Sequence, residues 1–449
     1  MSAFVRKISL LLGTTFCLLW LVSVPKTMAQ DTRLQPAGLT FNINSEFSYD
    51  DNVLRQGDAS VLTNGQPNAQ PGEFQQSPRI GSRLVQLNPQ LSYLIRTGTS
   101  SYTVNYAMDR SEYLESKQDN MTNHSLQLST EQRFNRFNKL TVQGALNYAH
   151  EARGVGFNEG LNALNLDEPT LFATHDLFTR YQLGQDGKSL RLIAEAGWSG
   201  TDRDSSQITN DSRDYRGNRF GATLQYRVGS RTDLLVEYRN NRITYPRTPT
   251  TSSGVQTPLD SVSEEYLAGV NLEATSKTTG RLRVGTSKRS FKWKAANWSD
   301  RTALGSTETA PAPSPSVVFA SDSAETLFWE FAAVWSPRTY SRFELSTRTY
   351  NREALGVGSF IRSEDYTLMW THQWNNRVRS RLEFTTGKDD YVDANRQDER
   401  KSYQARFEYD FTKVFNVGIG IRYTETVSNF STSSYDKSIY YLFANYHNR

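Results

Sequence analysis

Apolar and aromatic residues recur at every second position along most of the chain. In residues 220–228 the apolar positions are Phe220, Ala222, Leu224, Tyr226 and Val228, with polar or small residues between them. Side chains two residues apart share one face of a β-strand, whereas a helix would bring together residues three or four apart. The pattern therefore predicts strands with one apolar and one polar face.

Eighteen such segments follow one another with hardly a competing helical period. They lie at residues 39–49, 83–96, 102–109, 124–133, 139–148, 175–183, 189–198, 219–228, 232–240, 264–274, 280–287, 325–335, 341–350, 364–374, 378–387, 402–411, 414–424 and 437–446. So many half-apolar strands need a large sheet whose apolar face is covered, either by lipid or by a second sheet.

The connections between these segments alternate in length. Short connections are predicted near residues 97–101, 134–138, 184–188, 229–231, 275–279, 336–340, 375–377 and 411–414, and long ones include 50–80, 149–174, 199–217, 241–263 and 288–323. Short periplasmic turns and long extracellular loops are typical of outer-membrane barrels. We predict an all-β fold, a transmembrane antiparallel up-and-down β-barrel of about 18 strands; a soluble stacked sheet is the alternative.

The N-terminal segment predicts export. Arg6 and Lys7 precede an uncharged run, residues 8–24, and Thr27-Met28-Ala29 supplies small residues where a signal peptidase reads. We expect residues 1–29 to be a signal peptide of the general secretory pathway and residues 30–449 to form a single barrel domain. An uncleaved membrane anchor is the alternative.

Composition and charge agree with a barrel in a bacterial envelope. The only cysteine is Cys17, inside the predicted signal peptide, so the mature chain cannot be a disulfide scaffold. Of 51 basic and 47 acidic residues, the basic residues Arg6, Lys7 and Lys26 leave with the signal, and the mature net charge becomes +1. This near-neutral balance leaves no excess of positive charge that would bind nucleic acid. A mean hydropathy of −0.62 remains compatible with a barrel, because only alternate strand positions need be apolar.

Aromatic residues near the strand ends suit the two girdles by which a barrel meets the membrane interfaces. These residues are Tyr49, Tyr93, Tyr102, Tyr148, Trp198, Tyr238, Tyr266, Trp329, Trp335, Trp374, Tyr409 and Tyr423.

If the apolar positions face lipid, the intervening positions line the lumen. The arginine candidates for the lumen are Arg180, Arg191, Arg219, Arg227, Arg239, Arg281, Arg283, Arg342, Arg348, Arg379, Arg381, Arg406 and Arg422. The glutamate candidates are Glu195, Glu237, Glu330, Glu344, Glu383 and Glu408. Guanidinium groups could guide a hydrated, anionic chain. Alternatively, the opposite charges pair across strands and brace the wall.

Catalytic and metal-binding patterns are absent from the sequence. The five histidines, His124, His150, His175, His372 and His447, have no partner at metal-ligand spacing, so we expect no metal and no cofactor. We expect no enzyme activity. A lipid-modifying barrel would need a histidine on the lipid-facing wall, as His372 is predicted to be, but an interfacial position explains it equally.

Two smaller features leave alternatives open. Asp50-Asp51-Asn52 could bind a divalent cation or bridge lipopolysaccharide, or could form a solvated turn. Gly418 and Gly420 alternate with apolar residues on a predicted strand, where they would leave inward space or permit curvature. An eighteen-stranded barrel encloses an aqueous channel unless a loop folds inward, and loops 50–80 and 288–323 are long enough to do so.

The segment at residues 47–55, which reads Phe-Ser-Tyr-Asp-Asp-Asn-Val-Leu-Arg, resembles the opening strand of the EpsL-like outer-membrane β-barrel family of bacterial exopolysaccharide gene clusters. The resemblance implies a Gram-negative outer-membrane porin that lets an exopolysaccharide leave the cell. It implies periplasmic polysaccharide-export or co-polymerase proteins as partners, besides outer-membrane lipid, lipopolysaccharide and the polysaccharide chain itself. A general small-solute porin, a structural anchor and a lipid-modifying enzyme remain the alternative functions.

Overall fold

The computed structural model of the protein describes residues 37–57, 79–159, 163, 166–204, 214–246, 259–291, 323–354, 358–430 and 433–448. It contains eighteen strands: β1 (Gly38–Asp50), β2 (Ser82–Thr97), β3 (Ser100–Tyr113), β4 (Met121–Arg133), β5 (Asn138–Glu151), β6 (Thr170–Leu183), β7 (Leu190–Arg203), β8 (Tyr215–Val228), β9 (Thr232–Thr244), β10 (Ser261–Thr275), β11 (Thr278–Phe291), β12 (Ser323–Arg338), β13 (Ser341–Glu353), β14 (Phe360–Gln373), β15 (Val378–Val392), β16 (Arg396–Asp410), β17 (Phe415–Ser428) and β18 (Tyr435–His447).

Each strand pairs antiparallel with its neighbours in the chain, and the last strand pairs with the first. The closing register of β1 with β18 runs from Asn42 opposite His447 to Asp50 opposite Ile439. Closure leaves no edge strand with unpaired backbone groups, which hydrocarbon would not tolerate. The predicted fold, an eighteen-stranded antiparallel up-and-down β-barrel, is confirmed. Among the described residues, no helix has the length and apolar character needed to cross a membrane.

The strands are longer than the alternation predicted, mainly at one end. β3 continues to Tyr113 instead of ending at residue 109, and β6 begins at Thr170 instead of residue 175. At these ends both faces of a strand carry polar residues, so the period-two pattern fades while the backbone pairing continues. The barrel wall therefore extends beyond its apolar band.

The two ends of the barrel differ in their connections. One end holds the eight turns that join β2 to β3 and each later even-numbered strand to the next, at residues 98–99, 134–137, 184–189, 229–231, 276–277, 339–340, 374–377 and 411–414. The five predicted long loops all lie at the other end. Four further connections there are short, at residues 114–120, 354–359, 393–395 and 429–434, so the predicted alternation holds only in part. The predicted signal peptide and the segments 58–78 and 292–322 lie outside the described residues.

Contacts between side chains of strands that are not neighbours identify the inner face of the wall. Arg239 of β9 reaches Glu330 of β12, a convergence across intervening strands that belongs to a concave surface. The alternate positions carry exposed apolar side chains, such as Val236, which is 55% exposed and paired across strands with Leu224 and Ala268. The predicted girdle aromatics lie on this same outer face. The apolar face therefore points outwards, as a membrane requires.

An arginine in place of Val236 should destabilise the barrel by about 2–4 kcal/mol, because a charge at mid-height on the lipid face must enter hydrocarbon. The matched control is Gln127→Arg, which places the same charge on the inner face of β4. Urea unfolding of the barrel refolded into lipid vesicles measures both free energies. Equal losses in the two variants would show that the faces are assigned wrongly.

Gly418 and Gly420 face inwards on β17 beneath two aromatic rings of β18. A Cβ on Gly418 would overlap the ring of Phe443, and one on Gly420 would overlap that of Tyr441. These glycines therefore leave inward space for rings that lie flat against the wall.

Gly418→Ala should cost about 1–3 kcal/mol of unfolding free energy through overpacking. Gly280→Ala in β11 is the matched control, since the nearest atom to its added Cβ is a backbone oxygen of Ala332 at 3.6 Å. Thermal unfolding of the two variants in the same detergent compares them. A Gly418→Ala barrel as stable as the control would mean that the rings move aside freely.

Candidate functional site

All nineteen predicted lumen residues lie on the inner face. The strand register shows this directly, because Arg227 stands opposite Asp233 and Glu330 stands opposite Arg348, both on the face away from the apolar band. Whether these side chains contact a permeating molecule stays a prediction. Their geometry nevertheless says what kind of wall they form.

Most of the candidate charges are paired with one another. Salt bridges join Arg180 to Glu195, Arg191 to Asp186 and Asp233, Arg227 to Asp233, Arg239 to Glu237, Glu265 and Glu330, Arg283 to Glu237 and Glu330, Arg342 to Glu344, Arg348 to Asp365, Arg379 and Arg406 to Glu408, and Arg381 to Glu383. Arg219 and Arg422 lie over the rings of Phe178 and Tyr441, and Arg281 lies on β11 two residues before Arg283. These pairings, some within a strand and some across strands, brace the wall and lower its affinity for ions from solution.

The densest of these pairings forms a charged belt on β9 to β12, made of Glu237, Arg239, Glu265, Arg283 and Glu330. Arg239 Nε lies 2.6 Å from Glu237, and its Nη1 lies 3.0 Å from Glu330. Arg283 reaches the second oxygen of both carboxylates, at 3.0 Å and 3.2 Å. Every member is largely buried, so each charge depends on its partners.

Further charge pairs continue from the belt towards the long-loop end of β13 to β16. Asp365 lies 2.9 Å from Arg400, and Arg400 lies 2.8 Å from Asp389. Arg352 completes the chain at 2.6 Å from Asp389. About half the circumference of the barrel is therefore lined by ion pairs that satisfy one another.

The opposite part of the inner wall, on β1 to β5, is rich in amides, although charged residues such as Glu46, Asp109 and Glu131 face inwards there as well. We call it the amide wall, and it consists of Asn42, Asn44, Gln86, Asn88, Gln90, Asn105, Asn123, Gln127, Gln143 and Asn147. Serines and threonines occupy most of the positions between them. These amides follow the same period of two as the charged residues, but none of them is among the predicted lumen residues.

Hydrogen bonds hold part of the amide wall and leave part available. The Ser92 hydroxyl donates to Asn105 at 2.5 Å, and the Asn147 amide donates to Thr174 at 3.0 Å. Within the described part of the chain, Gln127 and Gln143 make no side-chain hydrogen bond and are only half-buried. An amide offers two donors and a carbonyl acceptor, which match the hydroxyl groups of sugars.

The described residues of the β5–β6 connection, 152–159, 163 and 166–169, form a strap over part of the mouth at the long-loop end. Its base is a buried salt bridge in which Arg153 Nη2 lies 2.7 Å from Asp119, the two side chains being 2% and 3% exposed. Arg153 also donates to the backbone oxygens of Ala163 and Leu166. Gly154 fits against the backbone of Leu54, where any Cβ would overlap it.

The strap ends its crossing at the β15–β16 hairpin. Glu159 forms a bidentate salt bridge with Arg396, which also binds Asp398 at 2.6 Å. The shorter way around the ring from β5 to β16 passes β4, β3, β2, β1, β18 and β17. The Glu159–Arg396 contact therefore ties two distant parts of the rim together and narrows the mouth above the amide wall. Sequence analysis placed the inward-folding candidates elsewhere, in loops 50–80 and 288–323.

The other side of the mouth is narrowed by an apolar cluster. Phe291 and Phe360 lie with ring centroids 6.1 Å apart, although their strands, β11 and β14, are not neighbours. The guanidinium of Arg289 lies over both rings and is bound to Glu353 at 2.7 Å. The largest apolar core clusters of the described residues thus lie inside the mouth.

The Asp50-Asp51-Asn52 segment is neither a cation site nor a solvated turn. Asp50 is buried against Lys437 at 2.6 Å, and Asp51 binds Arg79 at 3.1 Å. Asn52 is fully buried and donates to the backbone oxygens of Gln56 and Asp436. The protein's own cations satisfy these carboxylates, and the segment anchors the β1–β2 connection to β18.

A second acidic residue of the rim is held ionised. Glu115, in the β3–β4 connection, accepts a hydrogen bond of 2.6 Å from the backbone N–H of Arg83, and the Arg83 guanidinium donates to it as well. These contacts lower the pKa of the Glu115 carboxyl below its ordinary value. The rim therefore keeps this negative charge in mildly acidic surroundings.

His372 lies in an aromatic surrounding on the outer face. Its ring centroid is 5.3 Å from that of Trp370 and 4.4 Å from that of Trp374. Its Nδ1 has no hydrogen-bond partner among the described residues, so no acid orients it for catalysis there. The described residues also contain no group of three His, Cys, Asp or Glu side chains arranged to hold a metal ion.

The C-terminal part of the barrel matches a known family. Residues 325–446 match the family described as "Putative beta-barrel porin 2". The match runs from β12 to β18, which includes the end of the charged belt and the β15–β16 hairpin that holds the strap. It is a family of porins, and together with the closed barrel it indicates an outer-membrane channel.

Solved structures of outer-membrane proteins are similar in fold. The siderophore receptor PirA from Acinetobacter baumannii aligns with a TM-score of 0.44 and 8% identity over 92% of this chain and 81% of that one. The outer membrane protein opdK from Pseudomonas aeruginosa aligns with a TM-score of 0.44 and 9% identity over 91% of this chain and 98% of that one. None of the curated proteins matches this sequence.

Proposed function

We propose that the barrel is an outer-membrane channel through which an exopolysaccharide leaves the cell. The observation that carries this proposal is the division of the inner wall into an amide wall and an arginine-rich wall whose charges are paired. A chain that must move through a channel needs many weak, exchangeable contacts instead of one tight site.

Each half of the wall contributes to such contacts. Amide groups such as those of Gln127 and Gln143 exchange hydrogen bonds between water and sugar hydroxyls without a large change in charge. Because each charge of the belt is paired with charges of opposite sign, the belt does not retain a passing chain by strong ionic contacts. The resemblance of residues 47–55 to the EpsL-like family supports the same function, with periplasmic polysaccharide-export or co-polymerase proteins as proposed partners.

Deletion of the gene in the producing cell tests the function. The expected result is that polysaccharide disappears from the medium and collects in the periplasm, and that the wild-type gene restores export. If the barrel were a general small-solute porin, its deletion would leave polymer export unchanged and would slow the uptake of small sugars. That outcome would overturn the proposal.

A further inference from the structure

The two ends of the barrel carry opposite charge. The eight short turns contain six basic residues and one acidic residue, a net charge of +5; the basic residues are Arg136, Lys188, Arg231, Lys277, Arg377 and Lys413. The described residues of the nine connections at the long-loop end include ten acidic and four basic ones, a net charge of −6. A chain with almost no net charge is therefore strongly polarised along the barrel axis.

The turn cations keep their charge available to solvent. All six side chains are exposed, and among the described residues none lies within salt-bridge distance of a carboxylate. Lys277 Nζ donates to the backbone oxygen of Pro337 at 3.1 Å, and Arg377 donates to the Tyr409 hydroxyl at 3.3 Å. The acidic turn residue, Asp186, is by contrast held by Arg191 at 3.3 Å and by Lys139 at 3.7 Å.

These cations surround the opening. They occupy six of the eight hairpins, those that join β4–β5, β6–β7, β8–β9, β10–β11, β14–β15 and β16–β17. In an outer-membrane barrel the short turns face the periplasm. We call the six turn cations the basic ring. The basic ring therefore lies where a polymer made inside the cell would first meet the channel.

We propose that the exported polymer is a polyanion, such as a chain bearing uronate carboxylates, and that the basic ring captures it at the short-turn end. This inference rests on the proposed function and adds the charge of the substrate and the direction of its entry. Charge lining of one sign raises the rate of association with an oppositely charged partner by roughly 10- to 1000-fold at low salt. The acidic long-loop end would repel the same chain and so disfavour its return.

Current block in a planar bilayer tests this inference on the full mature chain. The probes are an oligogalacturonate and a neutral malto-oligosaccharide of equal length, each added to either side of channels whose orientation is known. We expect the oligogalacturonate to block about tenfold faster from the short-turn side than from the long-loop side at low salt. High salt should remove most of this difference, because it screens exposed charges.

Matched triple variants identify the charges responsible. Lys188→Gln, Lys277→Gln and Lys413→Gln together should reduce the rate of block from the short-turn side at least threefold. The control is Lys117→Gln, Lys288→Gln and Lys388→Gln, which removes the same three charges from exposed side chains near the long-loop end and should leave that rate unchanged.

The outcomes separate this inference from the proposed function. Equal block by both sugars, or equal block from both sides, would overturn the inference and leave a polysaccharide channel in place. If neither sugar blocks the current from either side, both the inference and the proposed function are overturned. A turn variant that alters only insertion into anionic lipid, with unchanged block, would assign the basic ring to lipid headgroups and overturn the inference.

Discussion

Glu159→Gln is expected to raise the mean single-channel conductance of the barrel, because it removes the carboxylate that ties the strap to Arg396. The salt bridge is nearly buried on the arginine side, while Glu159 remains partly exposed, so we expect it to contribute about 1–2 kcal/mol. Its loss would shift the ratio of tied to released strap by roughly 5- to 30-fold. Arg396 keeps Asp398 as a partner, so the hairpin itself should stay folded.

Planar-bilayer recordings measure this effect against a control in the same loop. Asp167→Asn removes the same charge from an exposed position of the strap and should leave the conductance unchanged. A second variant carries Glu159→Cys and Arg396→Cys, joined by a reducible bifunctional thiol reagent long enough to span the former salt bridge. This cross-link should hold the conductance low until a reductant releases it. If Glu159→Gln and Asp167→Asn behave alike, the strap does not limit the current.

Glu330→Gln should destabilise the barrel by about 2–4 kcal/mol, because both Arg239 and Arg283 would then lose one of the two carboxylates that join them. The side chains of the belt are largely buried, so water replaces the lost partner only in part. The same change should make the channel more selective for anions, since one negative charge leaves the lumen while Arg239 and Arg283 keep their positive charges.

Glu344→Gln is the control for the belt. Glu344 pairs with Arg342, whose side chain is well exposed, and loss of such a pair should cost less than about 1 kcal/mol. Urea unfolding in lipid vesicles and reversal potentials in a salt gradient measure the two effects. Similar small losses in both variants would mean that water already screens the belt.

The sequence predicts which face of the wall each strand residue lies on, but it does not predict the contacts between loops. Placement of Phe220 outside and Arg227 inside follows from a period of two, because a strand offers only two faces. The same period places the amide wall inside, although none of its residues is among the predicted lumen residues. Pairings such as Arg239 with Glu330 were open, because strand order and register together decide which charges meet.

The mouth could not be predicted in the same way. Nothing in the spacing of Arg153 and Asp119, or of Glu159 and Arg396, indicates that each pair meets, since the chain between them folds through several strands. Asp50-Asp51-Asn52 was expected at a solvated turn or a cation site, because clustered carboxylates usually favour water or metal. The nearby positions of Lys437 and Arg79 decided otherwise, and they depend on the closure of β1 against β18.

Release from proteoliposomes tests most directly whether the barrel passes a polysaccharide. Vesicles would contain both a labelled uronate-bearing polysaccharide and a small labelled sugar, with the wild-type barrel or Glu159→Gln in the membrane. We predict loss of the polysaccharide from vesicles that hold the barrel, faster with Glu159→Gln, and retention by vesicles without protein. Loss of the small sugar with full retention of the polysaccharide, in both forms of the protein, would contradict a channel for polymer export.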